Sequence, residues 1–201
     1  MNTKITFKNF KLKEIATVIP GQSVKSIEIN SKNLGSPFLQ GMKEFGETYP
    51  QTSRFTEFAK KHAEKNDILM SVRAPVGPTN IADKKYAIGR GIAAIRPNEN
   101  ISRDYLLLNI KFLEYEITEE GRGTGSESIT KDKLESINIS IPVDTEGKIS
   151  EEEQLKVVKS INFYFEAIKD LELQTNNVLN TIDLLKKSIL SNGLNGTLEN
   201  G

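Results

Sequence analysis

The chain has 201 residues, of which 37% are hydrophobic and 27% are charged, and it contains no cysteine. This length allows one ordinary domain and an extension, and the lack of cysteine excludes disulfides and thiolate metal sites. No run of about 18 apolar residues occurs, so the sequence predicts no membrane span. The first 13 residues are basic and polar, without the apolar core of a signal peptide. We therefore expect a cytoplasmic protein.

Charge is divided unevenly along the chain, although the total is zero. Residues 1–111 contain 18 Lys and Arg against 10 Asp and Glu, a net charge of +8, whereas residues 112–201 contain 9 against 17, a net charge of −8. A basic front and an acidic back fit a phosphate-facing domain joined to a protein-facing segment. Chance asymmetry in a neutral protein is the alternative.

Residues 1–149 predict a turn-rich domain of short strands and helices. Strands are indicated by four short apolar runs bounded by proline or glycine, at 16–19, 68–72, 88–95 and 137–141. Helices are predicted over Thr56 to Lys65 and over Ser102 to Glu116, where Ser102 is the capping residue. Because helices and strands interleave irregularly, we expect an α+β fold, a mixed α/β domain rather than a doubly wound sheet.

A long helix is predicted from Ser150 onwards. Ser150 is a capping residue followed by three acids, with Glu153 at the capping-box position. No proline or glycine occurs before Gly193, so about 43 residues predict a rod of about 64 Å. Apolar residues recur along it at steps of three and four and form one coiled-coil seam: Leu155, Val158, Ile161, Phe165, Ile168, Leu171, Val178, Ile182, Leu185 and Ile189.

This seam predicts pairing with a second helix, most simply in a homodimer. A helix with one narrow apolar stripe cannot bury that stripe against itself, and the rod is longer than a domain of this size, which is about 30 Å across. A helix lying across its own domain is the alternative. Thr175, Asn176 and Asn177 make the seam polar at mid-length, and such a break either sets register and orientation or is simply exposed. The predicted domains are 1–149 and 150–201.

Several segments occur in an order that is typical of one known family. They are KLKEIA at 11–16, NDILMSVRAPVG at 66–77, AIGRGIAAIRP at 87–97, GTGSESIT at 123–130, the strand and proline at 137–142, LKKSIL at 185–190 and GTL at 196–198. Together they resemble the specificity (S) subunit of type I restriction–modification systems over nearly the whole chain. Members usually carry two target-recognition domains and two spacer helices, whereas this chain has one of each. It is therefore similar to a half-length S subunit or to half of a longer one.

The resemblance implies a DNA-binding subunit that is not itself an enzyme. Its partners would be double-stranded DNA, a methyltransferase subunit and a restriction or translocase subunit. S-adenosylmethionine, ATP and Mg are expected on those partner subunits, and no cofactor or metal is expected on this chain. The insertion at 144–148 lengthens the usual junction between domain and helix, so the angle between them stays open.

Base reading favours Arg for guanine, Asn or Gln for adenine and Ser or Thr for either, while Lys, Arg and backbone amides hold phosphates. The candidate DNA-binding residues are of these types: Gln22, Ser23, Lys25, Gln40, Lys43, Gln51, Thr52, Ser53, Arg54, Arg73, Lys84, Lys85, Arg90, Arg122, Thr124 and Ser126. For each basic residue, a solvated surface position is an equal alternative. Tyr49, Phe55 and Phe58 have the chemistry to stack on a base, but we expect them in the core.

No catalytic constellation is predicted. The single histidine, His62, falls on a charged predicted helix, so a histidine-based triad or metal centre is not expected. A glycine-rich dinucleotide or methyl-donor loop is also missing from the sequence. Methyl transfer and cleavage are therefore expected on other chains.

Two functions fit these features. In the first, a homodimer of specificity subunits presents two identical recognition domains and reads a short interrupted palindrome, because a two-fold dimer must read an inverted repeat. In the second, a coiled-coil regulatory or structural protein binds a protein or ligand through its front domain, which the neutral total charge slightly favours. DNA binding through several phosphates should weaken steeply as salt rises, and this separates the two.

Overall fold

The computed structural model describes residues 5–120 and 128–195, without the side chains of 115–120. The chain divides into two compact units, the first ending at Val158 and the second beginning at Lys159. The α+β class expected from the sequence is confirmed: the first unit contains sheets and helices, and a long helix closes the described chain. Within these ranges, no helix is long and apolar enough to cross a bilayer.

The strands and helices follow one another in an irregular order. The strands are β1 (Thr6–Lys11), β2 (Ala16–Pro20), β3 (Ser36–Leu39), β4 (Phe55–Thr56), β5 (His62–Ala63), β6 (Ile68–Ser71), β7 (Thr79–Ile81), β8 (Tyr86–Ile88), β9 (Ile92–Pro97) and β10 (Asn138–Val143). The α-helices are α1 (Leu12–Ile15), α2 (Arg103–Glu120), α3 (Lys131–Glu135) and α4 (Glu151–Leu194), and short 3-10 turns lie at Ser26–Glu28 and Met42–Glu44.

The sheet with strand order β2-β9-β6-β7 is the centre of the first unit. Its neighbouring strands are antiparallel, with Ile68 opposite Ile95 and Met70 opposite Ala93. Alternate residues of a strand point to opposite faces. Ile68 and Met70 accordingly pack into one core, and Leu69 packs into a second core. Because both faces of β6 are covered, its residues 68–70 are all apolar, whereas a strand with one face in water alternates apolar and polar residues.

The second sheet has the order β4-β3-β8-β5, in which β3 runs parallel to β8 and the other pairs are antiparallel. The strands predicted at 16–19, 68–72 and 137–141 are confirmed. The run at 88–95 is instead two strands, β8 and β9, which belong to different sheets and are separated by a turn at 89–91.

The helix predicted over Thr56 to Lys65 is wrong. This segment contributes the two-residue edge strands β4 and β5, which obtain their hydrogen bonds from β3 and β8. Pairing with residues distant in sequence has overridden the local helical pattern. His62 therefore lies half-buried in a strand and not on a charged helix.

Both predicted helix caps are confirmed. Ser102 Oγ accepts from the Tyr105 amide at 3.4 Å, and Ser150 Oγ accepts from the Glu153 amide at 3.2 Å. In a full capping box the Glu153 side chain would accept from the Ser150 amide. Here the Ser150 amide donates instead to the Pro142 carbonyl, at 3.1 Å. Helix α4 has 44 residues and is therefore about 66 Å long.

The first two turns of α4 belong to the core of the first unit. Gln154 is fully buried, and its Oε1 accepts from the Ser102 amide at 2.9 Å. Its Nε2 donates to the carbonyls of Asn100, at 2.9 Å, and Ser150, at 3.2 Å. Gln154 thus supplies an acceptor to the Ser102 amide at the start of α2, one of the amides that a helix start leaves without an intrahelical partner.

Val158, predicted to lie in the coiled-coil seam, is not available to a second helix. It is buried in the core that also contains Tyr105 and Leu106 of α2. Ile161 is half-buried, and the other predicted seam residues are exposed: Leu155, Phe165, Ile168, Leu171, Val178, Ile182, Leu185 and Ile189. The exposed part of the seam within the second unit therefore begins at Phe165.

We predict that Gln154→Ala lowers the free energy of unfolding by about 2–3 kcal/mol, because the buried Ser102 amide loses its acceptor. Gln174→Ala is the matched control, since Gln174 is exposed on the same helix, and should change stability by less than about 0.5 kcal/mol. Both are measured by denaturant unfolding of the full chain at one protein concentration. Equal effects of the two substitutions would contradict this role of Gln154.

Candidate nucleic-acid interface

An open cavity of about 580 Å³ lies on the first unit. It is formed by the segments that follow β3, β6 and β8 together with the residue preceding β4. Its lining residues are Gln40, Gly41, Met42, Lys43, Glu44, Arg54, Ser71, Arg73, Ala74, Pro75, Arg90 and Gly91. Four of them are cations and one is a carboxylate, so the cavity is basic and rich in hydrogen-bond donors.

Glycines allow the segments of the cavity wall to approach backbone to backbone. A Cβ at Gly91 would overlap the carbonyl oxygen of Gln40, and a Cβ at Gly21 would overlap that of Gly89. Hydrogen bonds hold the same segments together: the Gly89 amide donates to the Leu39 carbonyl at 2.7 Å. The turn at 89–91 is thereby fixed against the end of β3, and it presents Arg90 at the cavity.

Arg54 is held in place by its neighbours. Its Nη2 donates to Gln40 Oε1 at 2.8 Å, its Nη1 donates to Glu44 Oε1 at 3.3 Å, and its guanidinium lies 5.4 Å from the centre of the Phe38 ring. Glu44 is fixed in turn, because its Oε2 accepts from the Gly41 amide at 3.1 Å. The Arg54 backbone is also paired, since its carbonyl accepts from the Phe38 amide at 2.7 Å.

Lys43, Arg73 and Arg90 differ from Arg54. All three are exposed, and none forms an ion pair with another residue of the described ranges. Among the described residues, the cavity therefore combines one guanidinium held by side-chain hydrogen bonds with three exposed cations that form no ion pair.

The structure brings five of the predicted DNA-binding residues to this cavity: Gln40, Lys43, Arg54, Arg73 and Arg90. Eight others do not line it: Gln22, Ser23, Lys25, Gln51, Thr52, Ser53, Lys84 and Lys85. The remaining three, Arg122, Thr124 and Ser126, lie outside the described residues.

Three of the residues away from the cavity have other contacts. The Thr52 hydroxyl donates to the Phe38 carbonyl at 3.0 Å and accepts from the Arg54 amide at 3.1 Å, so it helps to position Arg54. Lys85 forms a 3.0 Å ion pair with Glu64, and Lys84 Nζ lies 5.6 Å from the centre of the Tyr86 ring.

Glu44 and Ser71 line the cavity but were not among the predicted site residues. The carboxylate of Glu44 accepts from the amide three residues earlier, and Glu14 and Glu28 repeat this pattern with Lys11 and Lys25. A glutamate three residues after the start of a turn is the sequence signal that could have predicted this contact of Glu44. Ser71 carried none, because it lies at the end of a buried strand and its hydroxyl donates to the Arg73 carbonyl at 3.0 Å.

The aromatic residues were placed incorrectly. Tyr49 and Phe58 are 52% and 61% exposed, so the expectation of core packing is wrong for both, and Phe55 is only half-buried. None of the three lines the cavity. Partial burial and the nearby Lys85 charge lower the pKa of His62, and the described residues contain no cluster of metal-ligating side chains.

The first unit, of α+β type, carries a basic, donor-lined cavity, and a 44-residue helix ends the described part of the chain. The profile of the type I restriction modification DNA specificity domain matches residues 4–181. The chain therefore belongs to the family of type I restriction–modification specificity subunits.

Curated relatives agree with this assignment. The chain is 37% identical over 182 residues to a protein of Methanocaldococcus jannaschii described as a type I restriction enzyme specificity subunit, covering 90% of this chain and 40% of the relative. It is 24% identical over 147 residues to the EcoBI specificity subunit of Escherichia coli, covering 71% of this chain and 30% of that protein. The chain thus spans less than half the length of these relatives.

Solved structures give the same result. A chain of a type I R-M system, solved in a study of complex assembly and conformational transition, has a TM-score of 0.79, and the HsdS subunit of Thermoanaerobacter tengcongensis has one of 0.75. Each is 31% identical and is matched over 96% of this chain and 46% of its own length. An S subunit from M. genitalium, 16% identical with a TM-score of 0.57, shares the fold.

We predict that Gly91→Ala lowers the free energy of unfolding by about 1–3 kcal/mol, because the added Cβ must displace the backbone at Gln40. Gly41→Ala is the control on the same cavity wall. A Cβ there meets nothing within 4 Å, so this change should stay within about 0.5 kcal/mol. Denaturant unfolding of both variants provides the measurement. A Gly91→Ala variant as stable as the wild type would contradict the close backbone packing between Gly91 and Gln40.

Proposed function

We propose that this chain is the DNA-reading subunit of a type I restriction–modification complex and that it reads DNA through the cavity of the first unit. The observation that carries the proposal is the convergence of Gln40, Lys43, Arg54, Arg73 and Arg90 on one concave surface from four separate segments. These are the residue types that contact base edges and phosphates.

The charge of the cavity supports this proposal. The only carboxylate among the described lining residues, Glu44, is engaged by Arg54 and by the Gly41 amide, so these residues offer donors to an incoming ligand. DNA presents the complementary groups, since phosphate oxygens and the N7 and O6 atoms of guanine are acceptors.

Dimerisation through α4 is the second part of the proposal. Leu171, Val178 and Leu185 are each more than half exposed in the single chain, and a second helix is the natural cover for such a seam. The Thr175 hydroxyl donates to the Leu171 carbonyl at 2.8 Å, so this polar residue can lie in the seam with its donor satisfied.

This chain covers only 40–46% of the length of the first relatives, each of which is one longer chain. A homodimer would supply two DNA-reading units from two copies of this shorter chain. An isologous dimer presents identical surfaces related by a two-fold axis, so its target is an inverted repeat. A rod of about 66 Å corresponds to less than two DNA turns of about 34 Å each. The proposed target is a short interrupted palindrome.

The subunit is proposed to be non-catalytic and to act in the cytoplasm. Methyltransferase and restriction subunits would carry S-adenosylmethionine, ATP and Mg and perform the chemistry. A coiled-coil regulatory protein is the alternative; the neutral total charge favours it slightly, but membership of the specificity family supports the DNA-reading function more strongly.

Methylation mapping tests the proposed function. In cells that co-express this chain with the methyltransferase and restriction subunits of its own organism, we expect methylation at one interrupted palindrome that disappears when this chain is omitted. In vitro, DNA affinity should fall steeply with rising salt. An asymmetric two-part target would contradict the homodimer, and methylation independent of this chain would contradict the DNA-reading function.

We predict that replacing Phe165 and Ile168 by glutamate converts the dimer to monomers, measured by sedimentation equilibrium, because two charges per chain would be buried in the seam. Leu173 and Leu184 are the matched controls. They are exposed on the same helix, and at 100° per residue they lie about opposite the seam. Glutamates at these two positions should leave the dimer intact; a dimer that survives the Phe165 and Ile168 changes would place the interface elsewhere.

A further inference from the structure

We propose that Arg54 reads a guanine of the target and that Glu44 and Gln40 are positioning residues that aim its guanidinium. This inference rests on the proposed function and assigns the type of base that the centre of the cavity recognises. Lys43, Arg73 and Arg90 are assigned to phosphates instead.

The donors of Arg54 are only partly used. A guanidinium has five N–H donors, of which the bonds to Gln40 and Glu44 occupy one on each terminal nitrogen. The remaining donors are sufficient for the bidentate contact that arginine makes with guanine N7 and O6. Because neighbouring side chains already hold the plane of the group, little side-chain entropy remains to be lost when a base binds.

Charge distinguishes Arg54 from the other cations of the cavity. Glu44 pairs with Arg54, and the Glu44 side chain is only 12% exposed, so the pair attracts a distant phosphate weakly. Arg90 is exposed and forms no ion pair with another described residue, so its charge is available to the phosphate backbone. Arg54 should therefore contribute to sequence preference, whereas Arg90 should contribute to overall affinity and to its salt dependence.

The backbone supports the same assignment. Thr52 and Phe38 fix the main chain of Arg54 on both sides, through the 3.1 Å bond from its amide and the 2.7 Å bond to its carbonyl. A base-reading group must hold its position closely, whereas a phosphate contact tolerates movement. A purely structural ion pair is the competing explanation, and it predicts no dependence on individual base atoms.

The test pairs protein variants with altered bases. Once methylation mapping has defined the target, duplexes are prepared in which each guanine in turn is replaced by 7-deazaguanine, which lacks the N7 acceptor. The full chain, assembled with its methyltransferase subunit, should bind about tenfold more weakly when one particular guanine of the half-site is replaced. Arg54→Lys, which keeps the charge and loses the fork, should bind the altered and unaltered duplexes equally.

Two further variants complete the design. Glu44→Gln keeps the size of the side chain and removes its charge, so it should reduce the 7-deazaguanine effect and leave the fold intact by circular dichroism. Arg90→Gln should keep the full effect while lowering the slope of log affinity against log salt by about 1.

The outcomes separate this inference from the function on which it rests. A wild-type complex that shows sequence-specific binding but no sensitive guanine overturns the assignment of Arg54 alone. An Arg54→Lys variant that remains as sensitive as the wild type does the same. A wild-type complex with no sequence preference overturns the proposed function as well.

Discussion

The close packing of three backbone segments, at Gly21, at Gly89 to Gly91 and at Gln40, is the constraint on which the cavity depends. Peptide groups meet there with no room for a Cβ, and the amide of Gly89 bonds directly to the carbonyl of Leu39. Together these contacts join the ends of strands from the two four-stranded sheets into a single wall. Side chains on that wall can then be held at fixed positions, as those on an isolated loop cannot.

The cations of the cavity differ in how firmly neighbouring groups hold them. Arg54 is fixed by a carboxylate, an amide oxygen and an aromatic ring, whereas Arg73 and Arg90 extend from exposed positions. Immobilised donors discriminate between ligands of similar charge, and mobile cations raise affinity for any polyanion. A protein that must search long DNA for a rare site needs both properties, since nonspecific binding brings it to DNA and specific contacts stop it at the site.

The parts of the fold that depend on local sequence were predictable. Capping by Ser102 and Ser150 and the course of α4 follow from neighbouring residues and were confirmed. The segment 56–65 was misread because its two short strands exist only through pairing with distant β3 and β8. Val158 was misread for the opposite reason: it fits the heptad spacing, but the core of the first unit covers it. Five cavity residues were found by type alone, whereas Glu44 contributes through contacts that the linear pattern does not contain.

The central sheet has a consequence for how the protein can change over generations. Its strands are covered on both faces by two separate cores, and neither core includes Gln40, Lys43, Arg73 or Arg90. Exchanging these side chains changes the charge and the hydrogen-bonding groups of the surface without opening a void inside the molecule. A lineage carrying this scaffold can therefore acquire new surface chemistry by point mutation while its folding stability stays nearly constant, and a laboratory library confined to the same positions should retain mostly folded members.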